Sequence, residues 1–183
     1  MKLDTNFKYL GLAPVGDIVT LCESLLTEAD WLAWTVRQDI YPSHSRTQSI
    51  PLIWPVINEN LETIEYTQWY SKYIRFFEPT LDYFRREVFT GSNSKIARLV
   101  LTRLDPASGI PVHTDNGYSL ESVHRCHLAI VTNIDCTFTV GGEEKQMALG
   151  DVWEISNTMP HQVANRGTTP RIHLMLDWMG KAS

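Results

Sequence analysis

The chain lacks several features that mark whole classes of protein. Its only cysteines, Cys22, Cys126 and Cys136, form no CxxC pair, and three in 183 residues are too few and too odd in number for a disulfide framework. No apolar run approaches the ~20 residues that span a bilayer, and the N-terminal MKLDTNFKY has none of the apolar core of a signal peptide. These absences predict a soluble, unexported protein of the reducing cytoplasm. Basic residues are not in excess: 16 Lys and Arg face 21 Asp and Glu, a formal charge of −5, which argues against an electrostatic nucleic-acid binder or a membrane-surface binder. No repeat, low-complexity tract or compositional break divides the chain, so residues 1–183 are expected to form one domain. A chain of this length buries roughly 70% of the surface its unfolded form exposes, so any metal it holds is there for function rather than as a staple.

What is present changes texture near residue 95. Before it the pattern is helical. Asp17 is placed to cap a segment in which Ile18, Leu21, Cys22, Leu25 and Leu32 recur at threes and fours. A second helical stretch runs from Leu61 to Phe89, with Tyr66, Tyr70, Tyr73, Phe77, Leu81, Phe84 and Val88 on one stripe and a restart at Pro79. Such a stripe packs against a sheet. Between the two, Tyr41 to Val56 carries Pro42, Pro51 and Pro55 and reads as irregular or extended, placed to lie over a site. From Lys95 onward come short β-branched runs separated by turn signals: IARLVLTRL, RCHLAIVTN, CTFTV, QMAL, VWEI, HQVAN and RIHLMLDW. Seven or eight closely spaced strands predict a sandwich or jelly roll with the helices outside it. Residues 95–179 are thus the expected β core, and 1–94 its helical support and candidate substrate lid.

Three residues in this half suggest a metal. His113 and Asp115 stand at i and i+2, on one side of an extended segment, and His161 follows in a predicted strand. The His-x-Asp pair alone is accounted for by a surface turn through Asp115, Asn116 and Gly117; the third residue alters the reading. Two histidines and a carboxylate make the facial triad that leaves adjacent positions open on a non-haem Fe(II). Arg171 is a second, independent feature, since a dicarboxylate chelating iron at one end needs its far carboxylate neutralised, and arginine's planar fork does so bidentately. If Asn165 pairs opposite Arg171 across the Arg166–Pro170 turn, His161 and Arg171 share a sheet face roughly 13 Å apart, a gap suited to a five-carbon keto-diacid. On the strand Arg125–Val131, Arg125 and His127 share one face and Cys126, Leu128 and Ile130 the other. His124 is expected to face outward, His173 to be a satisfied core histidine, and Trp153 and Trp178 to be core.

With these residues in place, the chain resembles the aspartyl/asparaginyl β-hydroxylase family of Fe(II)- and 2-oxoglutarate-dependent dioxygenases. The likeness runs over about residues 96–178 in the order LVLTRLDPASGIPVHTD, RCHLAIVTN, GDVWEISNTMPHQVANRG and RIHLMLDW. The resemblance implies a double-stranded β-helix in which His113 and His161 bind iron. It implies that Arg171, helped by Thr102, holds the distal carboxylate of 2-oxoglutarate, and that Arg125 and His127 lie near the carboxylate that chelates the metal. Animal members have glycine where Asp115 stands; this chain keeps the carboxylate, as the small bacterial members and free-proline hydroxylases do.

The expected reaction is hydroxylation of an unactivated C–H of an amino-acid moiety, free, in a peptide or carrier-bound, with dioxygen and 2-oxoglutarate consumed and succinate and CO2 released. Arg46, Asn116 and Tyr118 are the candidate substrate contacts. Two other functions use the same scaffold: a cupin-type enzyme that does not use 2-oxoglutarate, for which Arg171 and Thr102 are unnecessary, and a non-catalytic metal- or small-molecule-binding domain.

Overall fold

Strands begin earlier in the chain than its periodicity predicts. The computed structural model describes residues 3–57, 60–91, 93–115 and 117–180. In chain order the elements are β1 (Phe7–Leu12), α1 (Gly16–Ser24), α2 (Glu28–Leu32), α3 (Val36–Ile40), a single turn at Pro42–His44, β2 (Thr47–Ile57), β3 (Asn60–Tyr66), α4 (Gln68–Tyr73) and α5 (Glu78–Tyr83). There follow β4 (Lys95–Leu104), β5 (Ser108–His113), α6 (Tyr118–Glu121), β6 (His124–Val131), β7 (Cys136–Val140), β8 (Glu143–Lys145), β9 (Asp151–Ile155), β10 (His161–Asn165) and β11 (Arg171–Met179). The strands build a major sheet, β1-β9-β6-β11-β4-β2-β3, and a minor sheet, β5-β10-β7-β8. This is the expected two-sheet arrangement, mainly β with flanking helices.

The N-terminal half is not simply helical support. It gives β1, β2 and β3 to the major sheet, where β2 lies between β4 and β3. The prolines of β2 are tolerated because both Pro51 and Pro55 sit at register shifts, where a ladder amide is not required. Residues 61–66, expected to be helical, belong to β3, which pairs with β2, the long-range ladder overriding the aromatic spacing. The helix expected from Asp17 to Leu32 is two helices: Val15 precedes α1 and Asp17 sits in its first turn, while a Thr27–Asp30 capping box starts α2. Pro79 occupies the first turn of α5, as expected of a restart.

Two cores result. On the outer face of the major sheet, Cys126, Leu128, Ile130, Leu174, Leu176 and Trp178 pack against Ile18, Leu21, Phe77, Leu81 and Phe84 from the helical segments. Between the sheets, Leu104, Ala129 and Ile155 meet Phe138, Val140 and Val163. Because helices cover the outer face, His124 is buried rather than outward: its Nδ1 lies 2.6 Å from Glu154 Oε1 and its Nε2 is 3.1 Å from the Gly180 carbonyl. Among the described residues no helix is long and apolar enough to cross a membrane.

A second correction concerns the turn at Arg166–Pro170. β10 pairs with β5 and β7, whereas β11 pairs with β4 and β6, so the two strands lie in different sheets and Asn165 does not face Arg171 across a hairpin. The buried Asn165 side chain instead fastens the corner, its Nδ2 donating to the carbonyls of Thr169 at 2.9 Å and Asp105 at 3.0 Å while its Oδ1 accepts from the Gly167 amide at 3.2 Å. Arg171 therefore faces the site from the opposite sheet.

Candidate metal centre

The minor sheet positions the three predicted ligands. His161 opens β10 directly opposite His113 at the end of β5, and the backbone N–H of Asp115 donates to the Asn157 carbonyl at 3.1 Å, which folds the segment after β5 back toward β10. The two imidazole centroids are 4.2 Å apart. Asp115 Oδ1 lies 3.9 Å from His113 Nε2, and its Oδ2 lies 3.8 Å from His161 Nε2. One ligand atom from each residue falls within 4.8 Å of the others. The second ring nitrogens set the tautomers: His113 Nδ1 donates to the Pro111 carbonyl at 2.8 Å and His161 Nδ1 to that of Met159 at 2.9 Å, which leaves both Nε2 lone pairs aimed at the common point. Burial lowers the His161 pKa, with Asp115 opposing the shift, so the neutral, metal-binding form is favoured.

The major sheet lines the other side with cations. Arg125 and His127 of β6, with Thr102 of β4 and Arg171 of β11, face the interior, while Cys126, Leu128 and Ile130 face the helices. Arg125 reaches Asp115 with Nη1 and grips Asp177 bidentately, Nε to Oδ1 at 2.8 Å and Nη2 to Oδ2 at 2.7 Å. Arg98 Nη1 donates to the same Asp177 Oδ2 at 2.9 Å. Burial alone would raise the Asp177 carboxyl, but Arg125 and Arg98 hold it down at about 2. The Asp115 carboxylate is thus oriented by an arginine that is itself anchored by the fully buried Asp177.

Arg171 is the contrasting case. It is 3% exposed, and its described partners are the His173 ring, to which Nη2 donates at 2.6 Å, and the Phe138 face, 5.6 Å from the guanidinium carbon. Burial pulls its pKa down to about 9, and no carboxylate among the described residues neutralises it. Thr102 donates to the His173 carbonyl at 3.2 Å and lines the same space. His127 Nδ1 is buried with no hydrogen-bond partner, and burial and the Arg171 charge push its pKa well below the usual value. A buried cation with no carboxylate partner among the described residues and a buried ring nitrogen with no hydrogen bond, beside three converging side chains, fit a dianionic chelator with one end at a metal and the other at Arg171.

Two adjoining cavities meet at this point. The inner one, about 510 Å³, runs from His113, Asp115 and His161 to Arg171, Thr102 and His127. The outer one, about 790 Å³, is bounded by Arg37, Tyr41, Trp54, Arg98 and Ser119 and reaches His113 and Asp115. Arg46, expected to touch substrate, lines neither: it is a largely exposed side chain whose Nε lies 3.7 Å from Asp105 Oδ2. Tyr118 opens α6, next to Ser119 of the outer cavity; Asn116 lies outside the described residues. Sequence reasoning missed Arg98 and Asp177, though strand alternation carries the signal: Arg98 shares the Thr102 face of β4, and Asp177 the Arg171 face of β11. Arg37, on the short α3, gave no such signal.

Comparison with known proteins places this geometry in context. The family model described as Aspartyl/Asparaginyl beta-hydroxylase matches residues 40–180. An L-proline cis-4-hydroxylase of Rhizobium meliloti is 33% identical over 82 residues, 45% of this chain and 29% of that protein, so the match spans under a third of the relative's length. A solved oxidoreductase of the 2OG-Fe(II) oxygenase family from Burkholderia pseudomallei superposes with a TM-score of 0.55 at 14% identity, covering 89% of each chain. HygX from Streptomyces hygroscopicus, solved with nickel and 2-oxoglutarate bound, gives a TM-score of 0.54 at 11% identity over 97% of this chain and 84% of that one. At these identities the two structures show a shared fold, the double-stranded β-helix.

Proposed function

The chain belongs to the aspartyl/asparaginyl beta-hydroxylase family, and from that premise we propose that it is an Fe(II)- and 2-oxoglutarate-dependent hydroxylase acting on a small amino-acid substrate in the cytoplasm. The observation that carries the reading is the opposition of two half-sites: the ligand set His113, Asp115 and His161 on one sheet, and the buried, carboxylate-free Arg171 on the other. His113 and His161 would hold the metal through Nε2, Asp115 through its carboxylate. Arg171, with Thr102 beside it, would bind the distal carboxylate of 2-oxoglutarate, while Arg125 and His127 would lie near the chelating end. When bound, the iron and keto acid supply the oxidation: one C–H becomes C–OH, dioxygen gives one oxygen to that hydroxyl and the other to succinate, and the keto acid's first carboxylate leaves as CO2. The chain's own part is positioning and charge neutralisation, and none of these residues acts as a general base. The cis-4-hydroxylation of L-proline named for the relative makes free amino acids the first substrates to try.

The test is an anaerobic titration of Fe(II)-loaded protein with 2-oxoglutarate, followed by the visible metal-to-ligand charge-transfer band of a chelated keto acid. The band should appear in the wild type and vanish in His161→Ala, with amino-acid-stimulated succinate release following once oxygen is admitted. A fully metal-loaded protein that shows no band would instead point to a cupin-type enzyme or a binding domain without 2-oxoglutarate.

A further inference from the structure

The outer cavity holds a cation that the proposed chemistry does not use. Arg37 sits in α3, which is fixed to the start of β2: Gln38 Nε2 donates to the Thr47 carbonyl at 2.5 Å, and Thr47 Oγ1 donates to the His44 carbonyl at 2.7 Å. This fastening turns the Arg37 guanidinium toward the site, where its Nη2 lies 3.2 Å from His44 Nε2. The His44 ring in turn stands edge-on to His113, with centroids 5.5 Å apart. Arg37 is therefore one side chain removed from a proposed metal ligand, at the junction of the two cavities.

Asp115 and Asp177 act on the charge of Arg37 only from beyond ion-pair distance, through contacts they already make with Arg125. The adjacent carboxylate on α3, Asp39, accepts from the Thr35 hydroxyl at 2.7 Å, and no carboxylate forms an ion pair with Arg37 among the described residues. His44 offers no compensation, since an imidazole carries no negative charge in either of its ordinary protonation states. The other cations of the outer cavity are already matched: Arg98 by Asp177, and Arg125 by Asp177 and Asp115. Beside Arg37, Trp54 and Tyr41 give the cavity an apolar stretch of wall among polar residues such as Ser43 and Ser119, and Trp54 is braced edge-on by Trp34 at 5.1 Å.

We propose that Arg37 is the anchor for a free carboxylate of the substrate and that Trp54 and Tyr41 receive its apolar body. The substrate is then an unesterified small acid, a free amino acid or the terminal residue of a short peptide, rather than an internal peptide residue or a carrier-bound thioester. This rests on the oxygenase reading of the site and narrows its substrate class. The guanidinium fork matches a carboxylate and has no comparable partner in a neutral amide or thioester, so the discrimination lies in the charge and the second hydrogen bond.

The charge-transfer band of the Fe(II)–2-oxoglutarate form provides the readout, because a molecule entering beside the metal perturbs it. Without a band it is the oxygenase reading that fails; the inference about Arg37 is judged on protein that shows one. The probes are the proteinogenic L-amino acids, each paired with its carboxamide, added anaerobically. At least one free acid should perturb the wild-type band, and its carboxamide should require at least about tenfold more to do so. Arg37→Gln should weaken the same acid at least about tenfold and erase the preference for acid over amide, while Arg37→Lys recovers part of it. The band also reports whether each variant's site is assembled, and the acid-against-amide comparison in the wild type needs no variant. Equal response to acid and amide, no response to any free acid, or an Arg37→Gln effect on the 2-oxoglutarate titration instead of on the amino acid would overturn the assignment.

Discussion

At the scale of single residues, two buried arginines do opposite things. Arg125 is saturated by carboxylates, whereas Arg171 has none among the described residues, and only the second is free to bind a ligand anion. Replacing Arg171 with Ala is expected to weaken 2-oxoglutarate binding by about 2–4 kcal/mol, the worth of a buried bidentate contact, while metal binding is retained. Separate titrations of metal and keto acid check the split, and an unchanged half-saturation for 2-oxoglutarate would remove Arg171 from the site. Asp177 gives the complementary prediction. Its loss leaves Arg98 and Arg125 buried beside one another, so Asp177→Ala is expected to cost about 3–5 kcal/mol of stability in urea unfolding. Its pKa of about 2 in the folded state lies below the ordinary value of ~3.9. The stabilisation is therefore fully present above about pH 4 and fades as pH falls toward 2. Urea midpoints measured down this range should fall more steeply for the wild type than for Asp177→Asn.

At the scale of elements, the corner between β10 and β11 decides whether the two half-sites meet. Asn165 satisfies carbonyls and an amide there, and Asn165→Ala strands them in a buried place, at an expected cost of about 2–4 kcal/mol. Because Arg171 is the first residue after the corner, the same variant should raise the 2-oxoglutarate half-saturation more than that of the metal; equal effects on both would mean that the corner serves stability alone. This corner also shows where sequence reading stops. The alternation that put Arg125 and His127 on one face, and the turn signals that delimited β4, β6, β7, β9, β10 and β11, are local properties legible from residue types, whereas QMAL at 146–149, expected to be a strand, is irregular and β8 lies just before it. Whether β11 continues the sheet of β10 or crosses to the other is set by which strands receive it, and β4 and β6 are distant in sequence. For the same reason β2 and β3 were hidden: prolines and an aromatic stripe masked strands that only the ladder of β2 on β4 and of β3 on β2 stabilises. The outward expectation for His124 failed because a helical layer covers what is the outside of an isolated sandwich. Arg37 carried no periodic signal at all, since a five-residue helix has too few positions to define a face.

At the scale of the whole molecule, the division of the site between sheets makes ligand binding a matter of global stability. His113, Asp115 and His161 belong to the minor sheet and the loop beside it, so a metal alone ties together β5 and β10, which are already paired. A chelated keto acid that also reached Arg171 and Thr102, as proposed, would join the minor sheet to β11 and β4 across the interior. Each ligand stabilises the folded state by mass action, about 2.7 kcal/mol at a hundredfold excess over its dissociation constant. For a chain of this size that corresponds to a rise in melting temperature of roughly 5–11 °C per ligand. With redox-inert Mn(II), the metal should give one increment and 2-oxoglutarate a second, and 2-oxoglutarate without metal much less. Arg171→Ala should lose the second increment and keep the first, whereas His161→Ala should lose both and still unfold cooperatively, because the two cores do not depend on the ion. Calorimetry on the three proteins, each with and without the two ligands, separates these cases. A keto-acid increment that survives in Arg171→Ala would mean that the chelate is held by the minor sheet alone and that the two sheets are not bridged.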